Sequence, residues 1–113
     1  MIRMALLILS LLILGCASRS ELARNSLQVQ PGMKADELSR VLGEPIIRQT
    51  QGNVEAWQYC VTDHSGFEAN LHVLVWLRSG IVIGKRVQKK AKMGTCLTNL
   101  IYVRWEDAPQ APR

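Results

Sequence analysis

The sequence is poor in the residues that metal sites and catalytic sites need. Its two histidines are His64 and His72, and none of its three cysteines forms a C-x-x-C pair, so neither a zinc site nor a redox motif is indicated. It also lacks a glycine-rich phosphate loop and paired carboxylates. The run Asp-His-Ser at 63 to 65 is predicted to be a turn, because adjacent side chains cannot converge as a hydrolytic triad requires. We therefore predict a protein that is not an enzyme, with no metal ion and no small-molecule substrate.

The sequence also lacks a hydrophobic run long enough to cross a membrane. Its longest apolar run, from Met4 to Leu14, has 11 residues, whereas a transmembrane helix needs roughly 20. Arg3 precedes this run and the small residue Gly15 follows it, which is the arrangement of a secretory signal peptide. Residues 1 to 15 are therefore predicted to be a signal peptide, and the chain is predicted to be exported.

The segment Ile13-Leu14-Gly15-Cys16 resembles a bacterial lipobox. This resemblance implies a diacylglycerol on the Cys16 thiol, cleavage before Cys16, and an N-acyl chain on the new amino terminus. Two or more acyl chains give stable anchorage, whereas a single chain binds reversibly. Ala17, rather than Asp, follows the cysteine, which resembles the pattern sorted to the outer membrane, so we predict a lipid anchor on its periplasmic face. Inner-membrane retention, surface display and an ordinary secretory peptide are the alternatives.

Export also determines what to expect of the other two cysteines. In an oxidising compartment, a pair that remains after one cysteine is lipidated is expected to form a disulfide. We therefore predict a bond between Cys60 and Cys96, which are 36 positions apart. Such a bond would contribute about 3 to 4 kcal/mol by restricting the unfolded chain.

The first element with clear boundaries is a short helix within residues 31 to 45. Leu38 and Leu42 fall at helical spacing, and acidic residues stand in the first turn, where the helix dipole favours them. Gly43 suits a left-handed residue after the helix, and Pro45 prevents its continuation. We predict an amphipathic helix with one buried face.

The period then changes from helical to twofold, which indicates strands. Half-buried strands are predicted at 54 to 62, 71 to 77 and 81 to 87, with the second and third joined by a tight hairpin. Residues 100 to 105 are predicted to form a last strand or an extended edge. Together these elements predict an α+β fold, in which one or two short N-terminal helices pack on a three- or four-stranded antiparallel sheet as two layers. The predicted domain spans 31 to 105. It lies between a lipidated N-terminus at 16 to 30, predicted to be a tether or one short helix, and a loose tail at 106 to 113.

The helix and the strand after it resemble the SmpA/OmlA (BamE-like) family of small outer-membrane lipoproteins. The family pattern is Gly-Met, a helix ending in Leu-Gly-x-Pro, and a Trp-x-Tyr strand. Its positions in this chain are Gly32, Met33, Leu42, Gly43, Pro45, Trp57 and Tyr59. The resemblance covers 29 to about 87 and implies two short helices on a three-stranded antiparallel sheet. Lys34 stands where the family usually has a hydroxyl N-cap, and the two cysteines and the segment 102 to 109 are not family features.

Charge is distributed unevenly along the chain. Residues 69 to 105 carry a formal charge of +7, whereas residues 16 to 68 carry −2. The densest cluster is the segment 85 to 92, which is predicted either to contact anionic lipid or a partner, or to be a solvated sheet edge protected by lysines. Nucleic acid is not an expected partner of an exported protein. The candidate contact residues are Lys85, Arg86, Lys89, Lys90, Lys92 and Trp105.

Two functions from different classes follow from these features. The first is a non-enzymatic, lipid-anchored envelope protein with a structural or accessory role in outer-membrane assembly or integrity. Its partner would be an envelope protein, such as an outer-membrane β-barrel or its assembly machinery. The alternative is an inhibitor or binding module for a soluble enzyme such as a lysozyme or β-lactamase, with a tryptophan as anchor. Strand alternation turns Trp57 and Trp76 inward against the helix or tether, which leaves Trp105 as the exposed candidate.

Overall fold

The computed structural model describes residues 19 to 62, 69 to 90 and 95 to 110. Within these ranges two short helices pack on a four-stranded antiparallel sheet, so the predicted α+β fold is confirmed. The predicted signal peptide, Cys16, and the turn at 63 to 65 lie outside the described residues. In chain order the elements are α1 (Arg19–Ser26), α2 (Ala35–Leu42), β1 (Ile47–Gln51), β2 (Val54–Val61), β3 (Asn70–Arg78) and β4 (Ile81–Lys90).

Helix α2 begins and ends where the sequence predicts. Lys34 has the extended backbone of an N-cap but makes no capping hydrogen bond, so the helix lacks an interaction that contributes about 1 kcal/mol. At the other end Gly43 has a φ of 77°, in the left-handed region, and its N–H donates to the Ser39 carbonyl. Leu38 is fully buried and fixes the helix to the sheet.

Helix α1 is the short helix that was one of the two forms predicted for the N-terminal segment, and it packs on the core. Its mostly polar sequence has few apolar positions, but Leu22 is buried in the core under the helices. Val29, just beyond the helix, is also buried there. Residues before position 31 therefore contribute to the same core as α2 and the sheet. Neither helix of the described residues is long and apolar enough to cross a membrane.

The sheet is a meander in which each strand pairs with its neighbour in sequence. Its strand order is β1-β2-β3-β4. The tight hairpin between β3 and β4 is confirmed, with Ser79 and Gly80 both at positive φ. Strand β1 was not predicted, because its sequence Ile-Arg-Gln-Thr-Gln has a single apolar residue. It forms because Gly52, at a φ of 62°, lets the chain turn back onto β2.

Both faces of the sheet are buried, which the predicted two-layer arrangement did not include. One face, which we call the helix face, packs under α1 and α2. Its core contains Trp57, Tyr59, Val73 and Val75, among others. The opposite face, which we call the second face, includes Ala56, Leu74, Trp76 and Ile83 and is covered by the C-terminal segment. Strand β2 is therefore buried on both sides from 56 to 59, so the prediction of a half-buried strand there is wrong.

The C-terminal segment, residues 95 to 110, lies across the second face instead of joining the sheet. Ile101 and Val103 are buried against it while Tyr102 points to solvent, so the alternation that predicted a last strand is real. However, residues 100 to 104 belong to no strand. Ala108 packs on the same core, so the C-terminal segment keeps contact with the second face as far as Ala108.

Candidate interaction surfaces

The disulfide that the sequence predicts joins Cys60 of β2 to Cys96 at the start of the C-terminal segment. Their Cα atoms are 5.8 Å apart. The Thr62 hydroxyl oxygen accepts a hydrogen bond from the Cys96 N–H at 3.1 Å, and it lies 3.0 Å from Cys96 Sγ. His72 is fully buried beside the bond, with its Nε2 atom 3.6 Å from Cys60 Sγ. The bond therefore fixes the C-terminal segment to the end of β2, and His72 is an interior side chain of the second face.

Gln58 is a second attachment point of the C-terminal segment, and the sequence analysis did not identify it. Its side-chain amide donates to the Ile101 carbonyl at 2.8 Å, and its amide oxygen accepts from the Ile101 N–H at 3.0 Å. These two bonds satisfy the backbone N–H and C=O of Ile101, as a neighbouring strand would. A glutamine between Trp57 and Tyr59 was the available signal, since a polar side chain buried inside a sheet needs partners.

The tryptophans do not form an exposed binding anchor. Trp57 lies on the helix face as predicted, with the Arg48 guanidinium carbon 3.9 Å from its ring centroid. Trp76 lies instead on the second face, because neighbouring strand positions place 76 and 57 on opposite sides of the sheet. Trp105 packs edge-on against Trp76, with ring centroids 5.9 Å apart, so it is half-buried rather than exposed. Among the described residues, the exposed aromatic ring is that of Tyr102, at 86%.

The basic segment divides between the two faces of β4. The Lys85 ammonium donates to the Ser26 carbonyl at the end of α1, where a cation is favourable to the helix dipole, so Lys85 is a structural residue as well as a surface one. Arg86 and Lys89 are exposed. Lys90 ends β4, opposite Asn70, and Lys92 lies outside the described residues.

Arg86 borders a groove between β4 and the C-terminal segment, which we call the basic groove. Its floor includes the apolar residues Leu74, Trp76 and Ile101, and its rim includes Tyr102 and Arg104. Arg104 Nε lies 3.1 Å from the Glu106 carboxylate and 4.0 Å from that of Asp107. The Glu106 main-chain N–H and Arg104 lower the pKa of the Glu106 carboxyl.

A crevice opens at the opposite edge of the molecule, between α1, the end of α2 and the end of β2; we call it the edge crevice. The apolar part of its lining includes Leu22, Leu42, Ile46 and Val61. Two carboxylate residues, Glu21 and Glu44, also line it. Next to them, burial raises the pKa of the Tyr59 phenol well above its ordinary value, so this side chain stays a neutral donor. Its hydroxyl donates to the Gly43 carbonyl at 3.0 Å.

The residues that carry the family resemblance are structural in this chain. Gly32, at a φ of 96°, donates its N–H to the Val82 carbonyl at 2.8 Å, and Met33 accepts from the Val82 N–H. Pro45 leads from α2 into β1. These contacts bind the segment before α2 to the start of β4, which positions the helix over the sheet.

Within the described residues, no group of three or more His, Cys, Asp or Glu side chains is placed to hold a metal ion. No family model matches this chain, and a search of curated proteins finds no match.

Proposed function

We propose that this protein is a non-enzymatic, lipid-anchored envelope protein that works by binding a partner. The observation that carries the proposal is the Cys60–Cys96 disulfide. A disulfide in a small domain is typical of a protein that folds in an oxidising compartment. It also uses two of the three cysteines, so Cys16, after the apolar run, is the cysteine that remains for acylation.

The proposed site of action is the outer membrane, at its periplasmic face, in assembly or maintenance of that membrane. The resemblance to the SmpA/OmlA family supports this part of the proposal, and the arrangement of two short helices on an antiparallel sheet is compatible with it. The second candidate, an inhibitor anchored by tryptophan, is not favoured, because Trp57 and Trp76 are buried and Trp105 is packed against Trp76.

Lipid anchoring is tested by expressing the full chain in a Gram-negative host beside a Cys16→Ala variant. We expect the natural chain in the outer-membrane fraction, with the mass of a triacylated protein cleaved before Cys16. The variant should lose the acyl mass and leave that fraction, because no acyl chain then holds it. Thiol counting before and after reduction serves as the folding control, since Cys60 and Cys96 should react only after reduction in both proteins. An unacylated natural chain would refute lipid anchoring.

The basic groove is the proposed contact with anionic lipid headgroups or an acidic partner surface. We expect the double variant Arg86→Gln, Arg104→Gln, which removes two cations that line the groove, to bind vesicles containing anionic phospholipid about 10-fold or more weakly, since each cation near such a surface contributes about 1 kcal/mol. Binding is measured by vesicle co-sedimentation with the Cys16→Ala form, so that the acyl chains do not dominate it. Arg40→Gln, which removes an exposed cation on α2, is the matched control. Equal binding of all variants, unaffected by salt, would contradict this role.

A further inference from the structure

Strand β2 extends beyond its neighbour β1 at the edge of the sheet. β1 begins at Ile47, which pairs with Gln58, but β2 continues to Val61. On the other side β3 accompanies β2 to its end, where Val61 pairs with Leu71. Within the described residues, the last part of β2 therefore has a strand on one side only.

The backbone of Cys60 faces this open side. The Ile46 N–H donates to the Gln58 carbonyl at 2.8 Å, so the Gln58 backbone is directed toward β1. In an antiparallel ladder, residues two positions apart direct their N–H and C=O groups to the same side. The Cys60 N–H and C=O therefore point toward the same side of β2 as β1, but at a position where β1 has not yet begun. Backbone groups of this kind at a sheet edge are a template for an added strand.

The edge crevice lies directly beside this open backbone. Leu22 of α1 and Leu42 of α2 form apolar walls, and Ile46, 40% exposed, lies at its mouth. Tyr59 and Val61, on either side of Cys60 in β2, also line it. An extended segment paired with Cys60 could therefore bury an apolar side chain between the two helices.

The charge of the edge crevice selects for a basic segment. Among the described residues that line it, the charged ones are Glu21 and Glu44, both acidic, although the chain as a whole carries a net charge of +5. Arg48 contacts Glu44 at 2.7 Å, but it does not line the crevice. That ion pair is exposed, and exposed pairs contribute at most about 1 kcal/mol, so an incoming cation can compete for the carboxylate.

We propose that the edge crevice binds an extended segment of a partner protein by strand addition at Cys60. An apolar residue of that segment packs between Leu22 and Leu42, and a Lys or Arg two positions away, on the same face of the segment, lies beside Glu21 and Glu44. The proposal deepens the proposed function, because it names the kind of partner surface that the chain recognises. It rests on that function only for the idea that the protein works by binding.

The test is a titration of the full chain, as an exporting host matures it, in a neutral detergent. The probe is the acetylated and amidated heptapeptide Thr-Lys-Thr-Val-Thr-Lys-Thr, in which the Val and both Lys side chains lie on one face of the extended chain. We expect its addition to shift the amide NMR signals of Cys60 and Val61, with an affinity at least 10-fold higher than that of the same peptide with Glu in place of Lys. Shifts confined to β4 or to the C-terminal segment would overturn the proposal, and so would equal binding of the two peptides.

Two N-methylated forms of the peptide distinguish strand addition from simple charge attraction. Each form carries methyl groups on alternate amides, one form on the even positions and the other on the odd. Strand addition requires the amides of one set only, so we expect one form to lose at least 10-fold in affinity and the other to retain it. Equal effects of the two forms would overturn the proposal.

Two matched variants of the protein test whether the acidic residues of the edge crevice bind the basic peptide. Glu44→Gln should weaken binding of the basic peptide about 5-fold or more, whereas Glu55→Gln, in β2 but outside the crevice, should not change it. Concentration-dependent shifts at Cys60 without any peptide would identify a second copy of the chain as the occupant and overturn the proposal. Because none of these measurements depends on the acyl chains, their failure would leave lipid anchoring untouched.

Discussion

Replacement of both Cys60 and Cys96 by alanine is expected to lower the free energy of unfolding by about 3 to 4 kcal/mol. The disulfide joins residues 36 positions apart, so its loss restores a large amount of conformational freedom to the unfolded chain. Small domains have a total stability of about 5 to 15 kcal/mol, so this is a large fraction. Urea denaturation of the oxidised natural chain and of the double variant measures the difference.

Loss of the disulfide should also loosen the C-terminal segment, and the same samples can be used to measure this. The bond holds Cys96 to the end of β2, where Thr62 also binds it. We therefore expect the C-terminal segment to become more susceptible to protease in the variant, while the hairpin of β3 and β4 stays protected below the unfolding transition. The natural chain in a reducing agent serves as the control, since it loses the bond without losing any atoms. A loss below 1 kcal/mol would show that the remaining contacts determine the folded state.

Replacement of Gln58 by leucine is expected to lower the free energy of unfolding by about 2 to 4 kcal/mol. Leucine has a similar volume but leaves the N–H and C=O of Ile101 without their partners at 3.0 and 2.8 Å, and each such buried group costs about 1 to 3 kcal/mol. Hydrogen exchange of the Ile101 amide reports the local effect, and urea denaturation the global one.

The control for this prediction is Gln49→Ala. Gln49 accepts one hydrogen bond from Gln58, at 3.0 Å, but takes no part in the two bonds between Gln58 and Ile101. Its replacement should therefore cost about 1 kcal/mol or less and leave the Ile101 amide protected. If that amide exchanges slowly in the Gln58→Leu variant, then the apolar contacts of Ile101 and Val103 hold the segment by themselves, and Gln58 is not its attachment point.

The C-terminal segment also limits which surfaces of the sheet are accessible to a partner. It covers the second face, and α1 and α2 cover the helix face. The broad surfaces of the sheet are therefore core rather than binding surface. In the part of the chain that the structure describes, the candidate binding surfaces are the basic groove along β4 and the edge crevice beside Cys60. They lie at opposite edges of the sheet and differ in charge, so a single molecule could contact an anionic surface and a basic partner segment at once.

The sequence alone determined the elements with strong local signals. Helix α2 was predictable because Leu38 and Leu42 share a face and because Gly43 and Pro45 end it. The hairpin of β3 and β4 followed from alternation around Ser79 and Gly80. The disulfide could be predicted because two cysteines remain once Cys16 is assigned to lipidation, and this count does not depend on the tertiary structure.

Tertiary structure alone decided which side of the sheet each residue faces and what covers it. Val103 alternates with Tyr102 as a strand residue would, but the segment crosses the second face because Gln58 and Cys60, more than 35 positions earlier in the chain, hold it there. For the same reason Trp105 is packed on Trp76 and not exposed. β1 forms because β2 offers it an edge, not because its own residues favour a strand. Local patterns determine the conformation of a segment, but its location depends on contacts between residues far apart in sequence, which no local pattern records.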